Sequence, residues 1–102
     1  MTKSEYLLTC LIEELSEVQQ EVCKCLRFTL DHKYEKYNDT NFEKVLLEFA
    51  DVRAIRCLLN DIGIETENTS EKIQERFFEK IKRTERLMKE SVKLGVLKCP
   101  LD

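Results

Sequence analysis

The sequence predicts an all-α fold, and three features of this 102-residue chain favour it. Apolar residues recur at steps of three and four along three long stretches, which is the spacing of a buried helix face. Each stretch follows residues that are typical of helix N-termini, and the chain contains only two glycines and one proline. Charged residues make up 36% and hydrophobic residues 42%, as in helix-rich globular proteins and unlike disordered tails or β-sandwiches.

Start signals place each helix in turn. The predicted helices cover residues 4–28, 42–62 and 69–94 of a single domain that spans residues 1–102. Thr2 with Glu5, and Thr40 with Glu43, fit the capping box, in which a hydroxyl and a carboxylate satisfy each other's free backbone amides. Polar residues precede the third helix, and a glycine follows both the second and the third.

The predicted core is thin, because three helices share only about 100 residues. Phe77 and Phe78 together widen the apolar face of the third helix beyond what one neighbouring helix covers. Helical bundles usually close with four or more helices. We therefore expect an antiparallel helical bundle that is completed by homo-oligomerisation, as a homodimer or a homotetramer.

Charge and hydropathy disfavour two classes of partner. A net charge of −3 argues against binding the phosphate backbone of a nucleic acid, which needs a clustered basic face. No stretch approaches the roughly 20 apolar residues of a membrane span. Glu13 and Glu14 interrupt the first apolar run, unlike the run of a signal peptide. We expect a cytoplasmic protein that binds neither nucleic acid nor a membrane.

The five cysteines include no CxxC pair and favour reduced structural thiols. A zinc site formed by Cys23, Cys25 and His32 is the weaker alternative. Cys23 and Cys25 are two residues apart on a predicted helix, so their side chains point in different directions.

Carboxylates interrupt the apolar faces of the first two helices. Glu14 falls on the apolar stripe of the first helix with Glu17 three residues later, and Glu48 and Asp51 repeat this spacing on the second helix. If these helices pack together, like charges repel by about 4 kcal/mol per close pair at an effective dielectric constant of about 20. Oxygen-only ligands favour Mg²⁺ or Mn²⁺, so the pattern predicts a metal site. The alternative is an ordinary solvated face, since 20 residues of the chain are acidic.

The separation of the two acidic pairs along the chain restricts how the helices are connected. A simple hairpin would leave the pairs out of register, because the first helix is longer beyond Glu17 than the second is before Glu48. Either the first helix ends near residues 26–28, or the following loop folds back. A loop that folds back brings Tyr34 and Tyr37 near the acidic residues, where they are candidates for stacking on a base. Exposed loop tyrosines are the alternative.

With both acidic motifs in view, the sequence resembles the MazG-like all-α nucleoside triphosphate pyrophosphohydrolases. The family signature is EExxE followed by ExxD, here Glu13-Glu14-Leu15-Ser16-Glu17 and Glu48-Phe49-Ala50-Asp51. Residues 7–28 look like the first helix of small members from phage and bacterial genomes, and residues 79–97 resemble their C-terminal helix. The chain differs from small relatives in having Thr29 where glycine is frequent, and in having no tryptophan.

The resemblance implies a hydrolase that cleaves a nucleoside or deoxynucleoside triphosphate between its α- and β-phosphates, with Mg²⁺ as cofactor and Mn²⁺ as the alternative. The products would be the monophosphate and pyrophosphate. Glu14, Glu17, Glu48 and Asp51 would hold the metal ions. Glu13 would position or deprotonate the attacking water, or cap the acidic residues from outside.

Fixed cations are also needed beside phosphates. Lys24 and Arg27 on the first helix, and Lys80 and Arg83 on the third, are candidates, with ordinary solvated charges as the alternative for each. Two other functions stay open. One is a phosphoribosyl-ATP pyrophosphohydrolase-like reaction, and the other is a non-catalytic helical module for dimerisation or binding.

Overall fold

The computed structural model describes residues 1–34, 36 and 38–98. Within these residues the chain forms three α-helices and no strand: α1 (Lys3–Phe28), α2 (Asn41–Asp61) and α3 (Glu71–Lys93). The all-α prediction is confirmed. The chain divides into two compact units, one formed by Met1–Glu67 and a second that begins at Asn68.

The capping box predicted at α1 is present, whereas at α2 only the hydroxyl half of the predicted box is seen. Thr2 Oγ1 accepts a hydrogen bond from the Glu5 amide at 3.1 Å, and Glu5 Oε2 accepts one from the Thr2 amide at 3.1 Å, which completes the capping box of α1. At α2, Thr40 Oγ1 accepts a hydrogen bond from the Glu43 amide at 3.1 Å. Each of these bonds satisfies a backbone donor that has no partner inside its helix.

In the first unit α1 packs against α2. The buried apolar side chains of the described residues are Leu7 on α1 and Val45, Val52 and Leu59 on α2. This small core leaves many apolar side chains of both helices half-exposed, including Leu8, Ile12, Leu15, Leu46 and Phe49. The packing of α1 on α2 therefore covers only part of their apolar surface.

The connection between α1 and α2 is tied down at its base. Asn41, the first residue of α2, is fully buried, and its Nδ2 donates a hydrogen bond to the Thr29 carbonyl at 2.9 Å. The backbone amide of Asn41 donates to the His32 carbonyl at 3.0 Å, and that of Phe42 donates to the Leu30 carbonyl at 3.1 Å. These bonds hold the end of α1 beside the start of α2, so α1 ends early, at Phe28.

Thr29 has φ 75° and ψ 161° where the chain leaves α1. A positive φ at a β-branched residue is strained, and glycine occupies such backbone conformations with less strain. The Thr29 carbonyl accepts a hydrogen bond from the buried Asn41 side chain, and this bond offsets the strain.

The second unit contains α3. Ser70 caps it, with Oγ accepting a hydrogen bond from the Ile73 amide at 3.4 Å. Six of its apolar side chains remain between 37% and 60% exposed: Ile73, Phe77, Phe78, Ile81, Leu87 and Met88. Among the described residues of α3 none is buried. In the part of the chain that the structure describes, no helix combines the length and apolar character that crossing a membrane requires.

Candidate metal centre

The structure brings the four predicted metal ligands together on the first unit. Glu14 and Glu17 lie one turn apart on α1, and Glu48 and Asp51 lie one turn apart on α2. One carboxylate oxygen from each of the four lies within 4.8 Å of the others. We call these four residues the acidic cluster. Its members come from both helices, so the packing of α1 on α2 creates the cluster.

Burial alternates within the acidic cluster. Glu14 and Glu48 are half-buried, whereas Glu17 and Asp51 are exposed. Oε2 of Glu14 and Oε2 of Glu48 are both buried, and neither has a hydrogen-bond partner among the described residues. A buried carboxylate oxygen without a donor is costly, and a proton or a bound cation would relieve that cost.

Proximity and burial change the proton affinity of the acidic cluster. Burial, the close approach of the Glu17 carboxylate and the charges of Asp51 and Glu14 raise the pKa of Glu48 from its ordinary value near 4.5 to about 7. Burial, and then the neighbouring Glu17 and Asp51 carboxylates, also raise the pKa of Glu14. A carboxyl with a pKa near 7 holds a proton about half of the time at neutral pH. A divalent cation binds carboxylates and releases such protons.

Glu13 lies outside the acidic cluster. Its side chain is exposed on α1, but its charge contributes to the raised pKa of Glu14. It is therefore close enough to act on the cluster electrostatically. This position is compatible with both roles that the family resemblance implies, beside a water or as an outer cap.

The predicted phosphate-binding residues of α1 have different partners. Lys24 Nζ lies 3.1 Å from Glu21 Oε1. Lys24 follows Glu17 by two turns and so lies on the same stripe of α1, whereas Arg27 is rotated by about 80° from that stripe. The Arg27 guanidinium lies 5.3 Å from the centre of the Phe28 ring. Lys24 is thus the better placed of the two with respect to the acidic cluster.

Lys80 and Arg83 lie on α3 in the second unit. Together with Arg76 and Glu79 they line a shallow surface depression. The structure therefore groups these two predicted phosphate-binding residues with each other.

Of the two tyrosines predicted to bind the base, the structure describes only Tyr34. The Tyr34 ring makes edge contacts with His32, at 4.8 Å between ring centroids, and with Phe28, at 6.1 Å. Lys44 Nζ lies 5.5 Å from the centre of the same ring, and Lys44 precedes Glu48 by one turn of α2. Tyr34 is thus held at the α1–α2 connection, on the side where α2 begins. Tyr37 lies outside the described residues.

The structure gives no support to the zinc alternative. Within the described part of the chain, the acidic cluster is the group whose metal-ligating atoms converge, and it contains neither Cys23, Cys25 nor His32. Cys23 is exposed, and His32 instead contacts the Phe28 and Tyr34 rings. The cysteines at positions 10, 23, 25 and 57 are free thiols.

Sequence reasoning missed Glu21. Its side chain is only 14% exposed, and its Oε2 is buried without a hydrogen-bond partner among the described residues. The signal was its position four residues after Glu17 and seven after Glu14, which continues the same stripe of α1. The family motif ends at Glu17, so it does not mark Glu21.

When the chain is compared with family models, with curated proteins and with solved structures, none of them matches it. The resemblance to MazG-like enzymes therefore depends on the two acidic motifs and their flanking helices.

Proposed function

We propose that this protein is a Mg²⁺-dependent hydrolase of nucleotide metabolism. It would hydrolyse a nucleoside or deoxynucleoside triphosphate to the monophosphate and pyrophosphate. The observation that carries the proposal is the acidic cluster, in which four carboxylates from two helices converge within 4.8 Å. The same four residues carry the MazG-like motifs, which is the support from the sequence.

The residues of the acidic cluster suit a hard divalent cation. All four offer carboxylate oxygens, which are preferred ligands of Mg²⁺ and Mn²⁺. Two buried oxygens, Glu14 Oε2 and Glu48 Oε2, have no donor among the described residues and would gain a partner from a bound cation. When bound, such a cation neutralises phosphate charge and lowers the pKa of a water molecule.

The chain's own residues would bind the cation, the attacking water and the phosphates. Glu14 and Glu48 are half-buried, so their positions are more restricted by packing than those of the exposed Glu17 and Asp51. Glu13 would accept a proton or a hydrogen bond from the attacking water. Lys24 would donate hydrogen bonds to phosphate oxygens.

Arg27 and Tyr34 are proposed to make further contacts with the substrate. Arg27 would contribute positive charge at the end of α1, and Tyr34 would stack on the base. The contacts of Lys80 and Arg83 with phosphate stay predictions from the sequence.

We also propose that a second copy of the chain completes the bundle, as a homodimer or as part of a homotetramer. The apolar side chains of α1 and α2 are only partly covered by each other. Large exposed apolar surfaces on a globular protein usually mark an interface.

We also propose a cytoplasmic location, which the charge and the free thiols fit.

Product analysis tests the proposed reaction. The purified chain would be incubated with Mg²⁺ and a panel of canonical and modified nucleoside triphosphates that also includes phosphoribosyl-ATP. Monophosphate with pyrophosphate is expected from one or a few members, and the panel member that reacts identifies the substrate. Diphosphate with phosphate would contradict the proposed bond cleavage. No product from any member, together with no metal-dependent rise in melting temperature, would favour the non-catalytic helical module, which the exposed apolar face of α3 also suits.

A further inference from the structure

Glu21 extends the acidic stripe of α1 beyond the acidic cluster. It follows Glu17 by four residues, so the two side chains lie on the same side of the helix, about 6 Å apart along its axis. Its side chain is 14% exposed, which is rare for a glutamate unless it is paired. Because Glu21 has little contact with water, it needs a positively charged partner, whereas an exposed carboxylate does not.

Lys24 is the partner of Glu21. Lys24 Nζ donates a hydrogen bond to Glu21 Oε1 at 3.1 Å, and the lysine side chain is 36% exposed. Fully exposed ion pairs contribute little, because water competes with both charges and the side chains lose rotamer freedom. Here one partner is nearly buried, so less water competes for it. The second oxygen of Glu21 is buried with no donor in the described residues, so Lys24 is the group that compensates this carboxylate.

This pairing places a positive charge at Glu21, on the stripe of α1 that also carries Glu14 and Glu17. A lysine has a long flexible stem, and ordering it costs rotamer entropy. The bond to Glu21 restricts the ammonium before any ligand arrives. Because helical side chains lean towards the N-terminus, the restricted ammonium lies on the side of Lys24 that faces Glu17. The ammonium has three donors, and Glu21 uses one of them.

We propose that Glu21 is a positioning residue that holds Lys24 Nζ about one helical turn from the acidic cluster. Lys24 would then contact one phosphate of a polyphosphate whose other oxygens meet the cation at the cluster. Glu21 itself contacts neither the cation nor the polyphosphate. This inference rests on the proposed function, and it adds a preference for ligands with a polyphosphate chain over ligands with a single phosphate.

The test separates binding of metal from binding of phosphate, and it uses the full chain. Calorimetry would measure the affinity for Mn²⁺ alone, and then the affinity for inorganic tripolyphosphate with Mg²⁺ present. The variants are Glu21→Gln, Lys24→Met and the double variant. The Mn²⁺ dissociation constant is expected to stay within about twofold of the parent in all three. Tripolyphosphate binding is expected to weaken by about tenfold in Lys24→Met, as for loss of one charge-assisted hydrogen bond.

Coupling between the two residues is the decisive readout. Glu21→Gln is expected to weaken tripolyphosphate binding by several-fold, and the double variant is expected to bind no more weakly than Lys24→Met. A purely structural glutamate would lower the melting temperature without this coupling. If Glu21→Gln does not fold, Glu21→Met replaces it, since an apolar side chain of similar length suits a nearly buried position.

Three results would overturn the inference. Weaker Mn²⁺ binding in Glu21→Gln would make Glu21 a direct ligand. Additive losses in the double variant would show that the residues act independently. Parent-like tripolyphosphate binding in Glu21→Gln would remove the positioning role alone. A parent chain that binds neither Mn²⁺ nor tripolyphosphate would instead contradict the proposed function, and this inference with it.

Discussion

The helices of the first unit and the helix of the second unit share the same apolar periodicity, but their apolar faces differ in charge and in burial. On α1 and α2, carboxylates interrupt the apolar stripe, and the few buried apolar side chains share the interface with Glu14 and Glu48. On α3, six apolar side chains remain exposed, and the described residues of this helix bury none. The comparison indicates that α1 and α2 share their contact with carboxylates, whereas α3 keeps an exposed apolar face, which we propose as the surface for assembly.

Glu48→Gln gives the largest expected effect, and it acts in opposite directions on function and stability. Turnover with Mg²⁺ should fall by about 100-fold or more, because the cation site loses a half-buried ligand. The metal-free protein should melt at a higher temperature, since the neutral amide removes repulsion from Glu14, Glu17 and Asp51. Product assays and melting curves in EDTA measure the two effects. Glu43→Gln, at an exposed position on α2, is the matched control and should change neither strongly.

Phe77→Glu tests the assembly role of α3. Phe77 is 60% exposed, and a charge there should weaken self-association by about tenfold or more if a second copy covers this face. Analytical ultracentrifugation over a range of protein concentrations measures the change. Arg86→Glu also places a negative charge on α3, but half a turn round the helix, and it should leave the oligomeric state unchanged. A monomeric parent chain would contradict the assignment of this face to assembly.

The pH dependence of the metal-free protein reports on the acidic cluster. The pKa of Glu48 is raised to about 7 in the folded chain, so the folded state binds this proton more tightly than the unfolded state does. Its stabilising effect is complete below the unfolded pKa near 4.5 and is lost as the pH rises through about 7. The melting temperature in EDTA should therefore fall from pH about 5.5 to about 7.5, and saturating Mn²⁺ should restore it at the higher pH. A slope that persists unchanged in Glu48→Gln would assign the effect to other groups.

Thr29→Gly should give the smallest effect, a gain in stability. Glycine removes the strain of φ 75° but adds conformational freedom to the unfolded chain, so a net gain of about 1 kcal/mol in the free energy of unfolding is expected. Urea unfolding measures it. Thr9→Gly, within α1, is the control and should lower stability, because glycine disfavours a helix interior. Loss of stability in Thr29→Gly would mean that the threonine side chain makes compensating contacts.

Most of the correct predictions, such as the helix starts and the acidic face of α1, depend on residues three or four positions apart. The bonds between Thr2 and Glu5 depend on residues three apart, and the spacing of Glu14 from Glu17 places both on one side of α1 whatever the tertiary fold. The register of α1 against α2 was less accessible. It involves a hydrogen bond between the Asn41 side chain and the Thr29 carbonyl, twelve residues apart, and an asparagine at a helix N-terminus more often suggests a cap than a buried contact with another segment.

Burial was the property that the sequence pattern could not supply for Glu21 and Lys24. The pattern places both on the stripe of Glu17, but a charged residue there is more often solvated. Only the packing of α1 on α2 shows that Glu21 is nearly buried and takes Lys24 as its partner. The same limit applied to Tyr34, whose contacts with Phe28 and His32 depend on the path of the loop.

The tie at Asn41 has a consequence for how the gene could vary. Its bonds to Thr29 and His32 hold the start of α2 beside the end of α1. Positions 33–39 lie between these anchors along the chain, and lengthening such a connection costs little, about 0.6 kcal/mol for each doubling. Insertions and deletions there would leave the carboxylates in register. Among descendants of this sequence, the length of this segment is therefore expected to diverge faster than the distance between either acidic motif and its nearer anchor.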